Sequence, residues 1–153
     1  MLQPGSPAPP FTLPDDAGRE TSLASLLTGG PVLLYFYPAD FTPGCTREAC
    51  ELRDRFPLLS AAGLVIAGIS PQSPESHHRF REHYDLPFTL LSDENKDVTR
   101  RYGCDGPFGF GVRRTTYLID VNGMIREAVR ADFRIGRHID LAERAAKLLS
   151  PGP

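Results

Sequence analysis

The fold of this chain is decided by Val32-Leu-Leu-Tyr-Phe-Tyr37, followed by Pro38-Ala-Asp-Phe-Thr-Pro-Gly-Cys-Thr-Arg-Glu-Ala-Cys50. The first part is continuously apolar, as expected for a strand that is covered on both faces of a sheet. The second part passes through a Thr-Pro-Gly turn into a helical pattern. Cys45 is therefore expected near the first turn of a helix, beside unpaired backbone N–H groups and the positive end of the helix dipole. Both favour the thiolate, which is the nucleophilic form of cysteine.

Strand and helix patterns alternate along the rest of the chain. Apolar runs predict further strands, and apolar residues spaced by three and four predict helices. Ser73-Pro74 marks a helix start and Asn122-Gly123 a hairpin turn, whereas Pro57 predicts a kink or break in the helix after Cys45. The predicted strands are 32–37, 64–69, 88–91, 114–120 and 125–130, and the predicted helices begin near residues 45, 73, 96 and 135.

This order of elements predicts an α/β fold of the thioredoxin-like type, with a central mixed β-sheet flanked by helices. Residues 4–10 hold four prolines and predict an extended arm, so we expect an N-terminal extension before the sheet. The chain has 153 residues, enough to bury its own core. We therefore expect a single domain over residues 1–153.

Composition argues against several classes of function. The formal net charge is -2 and no basic run occurs, so neither nucleic acid nor an anionic membrane is an expected partner. No apolar stretch approaches the ~20 residues of a spanning helix, and no secretory signal pattern is visible, so we expect a cytoplasmic protein. Three cysteines do not make a disulfide framework, and redox chemistry is the leading hypothesis.

The residues around Cys45 suit a reaction with peroxides. Thr42 lies three residues earlier, so its hydroxyl is expected to reach the sulfur or an oxygen bound beside it. Pro38 closes the strand, and its ring can shield a thiolate from water. Together with the backbone N–H groups of Gly44 and Cys45, an arginine from elsewhere in the chain would complete an anion-stabilising cradle. Such a site suits attack of the thiolate on an O–O bond, which yields a cysteine sulfenic acid.

The segment Tyr37–Cys50 closely resembles the peroxiredoxin signature, with proline, threonine and cysteine at the family's spacing. Within that family the chain is similar to the bacterioferritin comigratory protein, or peroxiredoxin Q, group. Leu52–Asp54, Leu90–Asp93 and Arg114–Asp120 fit the same group, and the resemblance covers residues 4–149.

The resemblance implies a thiol peroxidase that reduces hydrogen peroxide and organic hydroperoxides without cofactor or metal ion. Cys45 would be the peroxidatic nucleophile, and Cys50 would condense with its sulfenic acid to form an intramolecular disulfide. A thioredoxin- or glutaredoxin-type protein would then reduce that disulfide. The other implied roles are hydrogen bonding of peroxide and sulfur by Thr42, shielding by Pro38, stabilisation of thiolate and transition state by Arg114, and orientation of Arg114 by Glu48.

The five-residue spacing of Cys45 and Cys50 is too long for a disulfide between them while the helix is intact. Residues five apart in an intact helix have Cα atoms about 8–9 Å apart, from the ~1.5 Å rise and ~100° rotation per residue. A disulfide needs Cα atoms within about 7 Å. We therefore expect the first turns of this helix to unwind after oxidation.

Several alternatives stay open from the sequence alone. A thiol-disulfide oxidoreductase shares the predicted fold but usually carries Cys-x-x-Cys, and a non-catalytic peroxide sensor would use the same cysteine. His77, His78 and His83 are interpreted as solvated helix histidines, with a zinc site as the alternative. Cys104 is either a packing residue or a competing resolving thiol, and the loop 103–111 either covers the core or borders the site. We expect a monomer, with a dimer as the alternative.

Overall fold

The computed structural model of the chain describes residues 1–149. Residues 150–153, which the sequence prediction included in the domain, lie outside the described part. A 3-10 turn, Pro107–Gly109, precedes the last hairpin. The elements are β1 (Thr12–Pro14), β2 (Glu20–Ser22), α1 (Leu23–Leu27), β3 (Val32–Phe36), α2 (Pro43–Ala61), β4 (Val65–Ser70), α3 (Pro74–Tyr84), β5 (Thr89–Ser92), α4 (Asp97–Arg101), β6 (Thr115–Ile119), β7 (Ile125–Arg130) and α5 (Ile135–Leu149).

A five-stranded mixed sheet in the order β5-β4-β3-β6-β7 forms the centre of the molecule, and β1 and β2 form a separate N-terminal hairpin. The strands β3, β4 and β5 are parallel, whereas β6 runs antiparallel to β3 and β7 antiparallel to β6. The turn between β6 and β7 is held by the Asp120 carboxylate, which accepts hydrogen bonds from the Asn122 and Met124 backbone N–H groups. The prediction of a central mixed sheet flanked by helices is confirmed.

Strand β3 separates two apolar clusters because successive side chains of a strand point to opposite faces of the sheet. All five residues of β3 are buried. On one face the sheet packs on α2 and α5, and Cys45 belongs to that cluster. On the other face it packs on the N-terminal segment and the region around α4, and Cys104 belongs there. The residues that alternate are Leu33, Tyr35 and Tyr37 on the first face, and Val32, Leu34 and Phe36 on the second.

Helix α2 runs without interruption from Pro43 to Ala61 although Pro57 lies inside it. A break at Pro57 is therefore excluded, and the alternative of a kink at Pro57 stays a prediction. A proline costs a helix interior about 3 kcal/mol and removes one backbone hydrogen bond. Here Leu52 and Leu59 are both buried on the core side of the helix, one before and one after the proline. Their burial holds both halves of α2 on the sheet and offsets that cost.

Candidate active site

Cys45 is the third residue of α2 and is 1% exposed. Thr42 is the N-cap residue, and its side chain makes no capping hydrogen bond. The Cys45 sulfur is a free thiol that receives a hydrogen bond from Arg114 Nη2 at 3.3 Å. A cationic donor at this distance, together with the helix N-terminus, stabilises a thiolate.

Sheet register brings Arg114 to the sulfur from far along the chain. Phe36, at the end of β3, pairs with Thr115, the first residue of β6, so Arg114 lies where the chain leaves β3. Glu48 follows Cys45 by three residues and therefore lies on the same face of α2. Its Oε1 atom is 2.8 Å from Arg114 Nη1. One buried guanidinium thus contacts both the Cys45 sulfur and the Glu48 carboxylate.

Asp132 holds the backbone and side chain of this arginine in place. Its carboxylate accepts from the Arg114 backbone N–H at 2.9 Å and from Arg113 Nε at 2.9 Å, and its backbone carbonyl accepts from Arg114 Nε at 3.3 Å. Partial burial opposes ionisation of Asp132, but these hydrogen bonds and the arginine charges outweigh it and lower the pKa of the carboxyl. Asp132 was missed from the sequence, because its contact depends on the path of the chain after β7.

His138 on α5 lies behind Glu48. Burial raises the pKa of the Glu48 carboxyl, while the charges of His138 and Arg114 act in the opposite direction. The His138 Nδ1 atom is 3.8 Å from Glu48 Oε2 and 2.7 Å from Thr116 Oγ1. Its Nε2 atom is 2.9 Å from the Ala131 carbonyl oxygen. The polar contacts of the site therefore continue from the sulfur to α5.

The loop before α2 carries the two other predicted residues. Pro38 is half-buried and lies two residues after the end of β3. The Thr42 hydroxyl donates to the Ala39 carbonyl at 2.9 Å. A hydroxyl has one hydrogen, so Thr42 does not donate to the Cys45 sulfur in this structure, contrary to one of the two contacts expected from the sequence. Its lone pairs can still accept a hydrogen bond from a bound hydroperoxide.

Asp40 ties this loop to α3 and β5. Its carboxylate accepts from the Tyr37 hydroxyl, the Ser76 hydroxyl and His77 Nδ1, each at 2.7 Å. The other His77 nitrogen, Nε2, is 3.1 Å from the Leu91 carbonyl oxygen. Because both ring nitrogens face acceptors and the carboxylate has three donors, we assign a buried imidazolium–carboxylate pair. The interpretation of His77 as a solvated helix histidine is wrong, since its side chain is 0% exposed.

The two remaining cysteines lie in different surroundings. Cys50 is half-buried in the second turn of α2 and is a free thiol. Cys104 is fully buried on the opposite face of the sheet, with its sulfur 3.5 Å from the Tyr102 carbonyl oxygen. Burial raises the pKa of the Cys104 thiol, which keeps it in the unreactive protonated form. Within residues 1–149, no three His, Cys, Asp or Glu side chains are grouped as ligands for a metal ion.

Comparison with known proteins identifies the family of this chain. The model of the AhpC/TSA family matches residues 4–128. Peroxiredoxin Q, chloroplastic, of Sedum lineare is 47% identical over 137 residues, which cover 89% of this chain and 73% of that protein. The putative peroxiredoxin bcp of Coxiella burnetii is 46% identical over 144 residues, which cover 90% of this chain and 94% of that protein. The chain belongs to the AhpC/TSA family of peroxiredoxins.

A solved structure extends the match to the whole fold of this peroxiredoxin. The crystal structure of peroxidoxin BcpB from Mycobacterium tuberculosis has a TM-score of 0.91 and 32% sequence identity, covering 99% of this chain and 100% of that one. The predicted thioredoxin-like fold and the resemblance to the bacterioferritin comigratory protein and peroxiredoxin Q group are both confirmed. The protein is therefore a thiol peroxidase. None of the helices in the described part of the chain has the length and hydropathy needed to cross a membrane.

The peroxiredoxin brings together three of the six predicted site residues in direct contact, namely Cys45, Glu48 and Arg114. Three other groups were missed: Asp132, His138 and the Asp40–His77 pair. For His138 the sequence did contain a signal, because this histidine lies one turn after Ile135 and next to Ile139, both on the apolar face of α5. A polar residue on an apolar helix face needs a buried partner, and here that partner is the site itself.

Proposed function

We propose that this peroxiredoxin reduces hydrogen peroxide and organic hydroperoxides with Cys45 as the peroxidatic cysteine. The observation that carries the proposal is the 3.3 Å contact between the buried Cys45 sulfur and Arg114 Nη2 at the start of α2. It gives the sulfur a fixed cationic donor, and the same donor can stabilise the negative charge that moves onto oxygen during the reaction. Thr42 accepts a hydrogen bond from the hydroperoxide, and Pro38 shields the thiolate.

The first step is attack of the Cys45 thiolate on one oxygen of the hydroperoxide. An S–O bond forms while the O–O bond breaks, so the sulfur is oxidised to a sulfenic acid and the peroxide is reduced to water or an alcohol. The leaving oxygen takes the electron pair of the broken bond and then a proton. Arg114 stabilises that oxygen in the transition state, and Glu48 orients Arg114 through their 2.8 Å ion pair.

The second step is condensation of the Cys45 sulfenic acid with the Cys50 thiol, which forms a disulfide and releases water. The two residues are five apart in α2, so their Cα atoms lie about 8–9 Å apart while the helix is intact, beyond the reach of a disulfide. We propose that the first turns of α2 unwind after oxidation. Cys50 is preferred over Cys104 because Cys104 packs on the opposite face of the sheet.

The third step is reduction of the disulfide by a thioredoxin- or glutaredoxin-type dithiol protein, which leaves that protein oxidised and both cysteines as thiols. We further propose a cytoplasmic, monomeric enzyme, with a dimer as the alternative. Three cysteines do not make a structural disulfide framework, which supports a reducing compartment. We propose that the chain works as one domain, since both apolar clusters pack on the same five-stranded sheet.

The decisive experiment is peroxide consumption coupled to thioredoxin, thioredoxin reductase and NADPH. We expect Cys45→Ser to abolish turnover, and Cys104→Ser, as a matched control, to retain it. Cys50→Ser should consume one equivalent of peroxide and then stop with thioredoxin as reductant. Turnover that survives Cys45→Ser would exclude the mechanism. Insulin reduction without peroxide consumption would indicate a thiol-disulfide oxidoreductase, and oxidation without turnover a peroxide sensor.

The resolving step has its own test. Mass spectrometry of the peroxide-treated protein should find a Cys45–Cys50 disulfide, and circular dichroism should record a loss of helix that dithiothreitol reverses. In Cys50→Ser, which cannot form the disulfide, the same peroxide treatment should leave helix content nearly unchanged. A Cys45–Cys104 disulfide in the unmutated protein would overturn the choice of Cys50. A Cys45–Cys50 disulfide without loss of helix would overturn the unwinding.

A further inference from the structure

Two buried polar atoms near the site have no hydrogen-bond partner in the described chain, the Tyr35 hydroxyl and the second carboxylate oxygen of Glu48. Oε1 accepts from Arg114, but Oε2 is buried and has no hydrogen-bond partner among residues 1–149. A buried carboxylate oxygen without a partner is costly, and such an atom calls for an explanation. His138 Nδ1, 3.8 Å away, is within ion-pair distance of this oxygen although it makes no hydrogen bond to it.

The charges of the site do not balance without a second cation. When the Cys45 thiolate and the Glu48 carboxylate are both ionised, two negative charges contact the single guanidinium of Arg114. Tyr35 on β3 also faces this group. Burial, together with the charges of Glu48 and Cys45, raises the pKa of its phenol, so Tyr35 stays neutral and supplies no positive charge. His138 on α5 is the facing group that can become a cation.

The surroundings of His138 accommodate a second proton without movement of heavy atoms. Its Nε2 atom lies 2.9 Å from the Ala131 carbonyl oxygen and therefore carries a hydrogen in either charge state. Its Nδ1 atom lies 2.7 Å from Thr116 Oγ1. A hydroxyl can donate to a neutral ring nitrogen or accept from a protonated one, so rotation of one hydroxyl hydrogen is enough.

We propose that His138 is a charge-compensating residue of the peroxidatic site. Doubly protonated, it balances the Glu48 carboxylate, so that Arg114 is left to stabilise the Cys45 thiolate. His138 does not contact the sulfur and acts through Glu48 and Arg114, which makes it a positioning residue. This inference rests on the proposed role of Cys45 as the reactive thiolate.

The test is a double-mutant cycle read on the thiol itself. The rate of Cys45 alkylation by iodoacetamide is measured against pH, by mass spectrometry of its peptide, in the unmodified protein, His138→Gln, Glu48→Gln and the double variant. We expect His138→Gln to move the profile to higher pH and to lower the rate at pH 7 about tenfold. The Arg114 charge that contacts the sulfur is worth at least this factor, and without His138 it is shared with an uncompensated Glu48 carboxylate. Without the Glu48 charge, adding His138→Gln should change the rate less than about twofold.

The cycle separates a charge effect from a folding effect. His78→Gln removes an exposed histidine from α3 and should leave the profile unchanged. An equal shift from His138→Gln with and without the Glu48 charge would mean that His138 only supports the structure, and this would overturn the proposal. So would an unshifted profile in His138→Gln.

A second measurement needs no substitution at His138. The ¹⁵N chemical shifts of its ring in the reduced, unmodified protein at pH 7 should be those of a doubly protonated imidazole. A neutral ring under these conditions would overturn the proposal. Neither alkylation nor this spectrum involves peroxide, so their outcome is independent of the turnover assay with Cys45→Ser that tests the proposed function.

Discussion

Two buried carboxylate–histidine pairs flank the start of α2, and they differ in how completely they are hydrogen-bonded. Asp40 accepts from three donors, and His77 has an acceptor at each ring nitrogen. Glu48 has one oxygen paired with Arg114 and one without a hydrogen-bond partner in the described chain, 3.8 Å from His138. The first pair joins the loop to α3 and β5, whereas the second lies behind the Cys45 sulfur.

This difference in hydrogen bonding indicates that the two buried pairs have different roles. A pair in which every polar atom is satisfied resists movement and fixes the geometry of its surroundings. In a pair with an unsatisfied oxygen, the protonation depends on nearby charges, including that of the sulfur. We therefore expect substitutions at Asp40 and His77 to act mainly on stability, and substitutions at Glu48 and His138 to act mainly on reactivity.

The largest effect on stability is expected from His77→Gln. Glutamine cannot replace a cation that contacts both the Asp40 carboxylate and the Leu91 carbonyl, so the carboxylate is left buried without its partner charge. Breaking a buried pair from one side costs about 3–5 kcal/mol. Urea unfolding followed by circular dichroism should record this loss.

The neighbouring histidine provides the matched control. His78 has a 55% exposed side chain on the same helix, so His78→Gln should change the free energy of unfolding by less than about 0.5 kcal/mol. Similar losses in both variants would mean that the His77 pair is no more important than a surface contact. The Asp40–His77 pair would then not have the stabilising role that we assign to it.

The next effect concerns reactivity. Glu48→Gln removes the ionic partner that orients Arg114, so the second-order rate constant with hydrogen peroxide should fall about ten- to a hundredfold. Stability should fall less than in His77→Gln, because Arg114 keeps the Asp132 carbonyl and the Cys45 sulfur as acceptors after the carboxylate is lost. Stopped-flow oxidation kinetics and urea unfolding measure the two quantities on one protein. A large loss of stability with an unchanged rate would reverse the roles assigned to the two pairs.

Glu48 also predicts a dependence of stability on pH. Burial raises the pKa of this carboxyl in the folded protein, so the folded state binds more protons than the unfolded state between the two pKa values. The stabilising contribution is present below the unfolded value of about 4.3 and is lost as pH rises through the folded pKa. One group changes the free energy of unfolding by at most about 1.4 kcal/mol per pH unit. Glu48→Gln should therefore flatten this part of the curve, and an unchanged slope would contradict the assignment.

Much of this site could be predicted from local sequence. The apolar run before Pro38 and the turn before Cys45 are contiguous, and the spacing of three places Glu48 beside Cys45 on one helix face. Ser73 and Pro74 mark the start of α3, where the structure has its N-cap and first residue. Arg114 was found through the family resemblance, since only sheet register brings it to the sulfur.

What could not be predicted depends on contacts between distant segments. Asp40 and His77 are 37 residues apart. Nothing in the sequence around either residue indicates that the Asp40 carboxylate accepts a hydrogen bond from the His77 ring. His138 reaches Glu48 because α5, which follows the β6–β7 hairpin along the chain, packs on α2. The break expected at Pro57 shows the same limit, because burial of Leu52 and Leu59 outweighed a local preference.

The smallest expected effect is the loss of one proton from the His138 ring in the Cys45→Ser variant. Replacing the thiolate with a neutral hydroxyl removes one of the two negative charges, and Arg114 alone then balances Glu48. His138 no longer needs its second proton, so its ring ¹⁵N shifts should move toward those of a neutral imidazole at pH 7. His77 should keep the doubly protonated signature, because its acceptors are Asp40 and Leu91 and do not include the sulfur. A change at both rings, or at neither, would mean that the two pairs respond alike to the charge on Cys45.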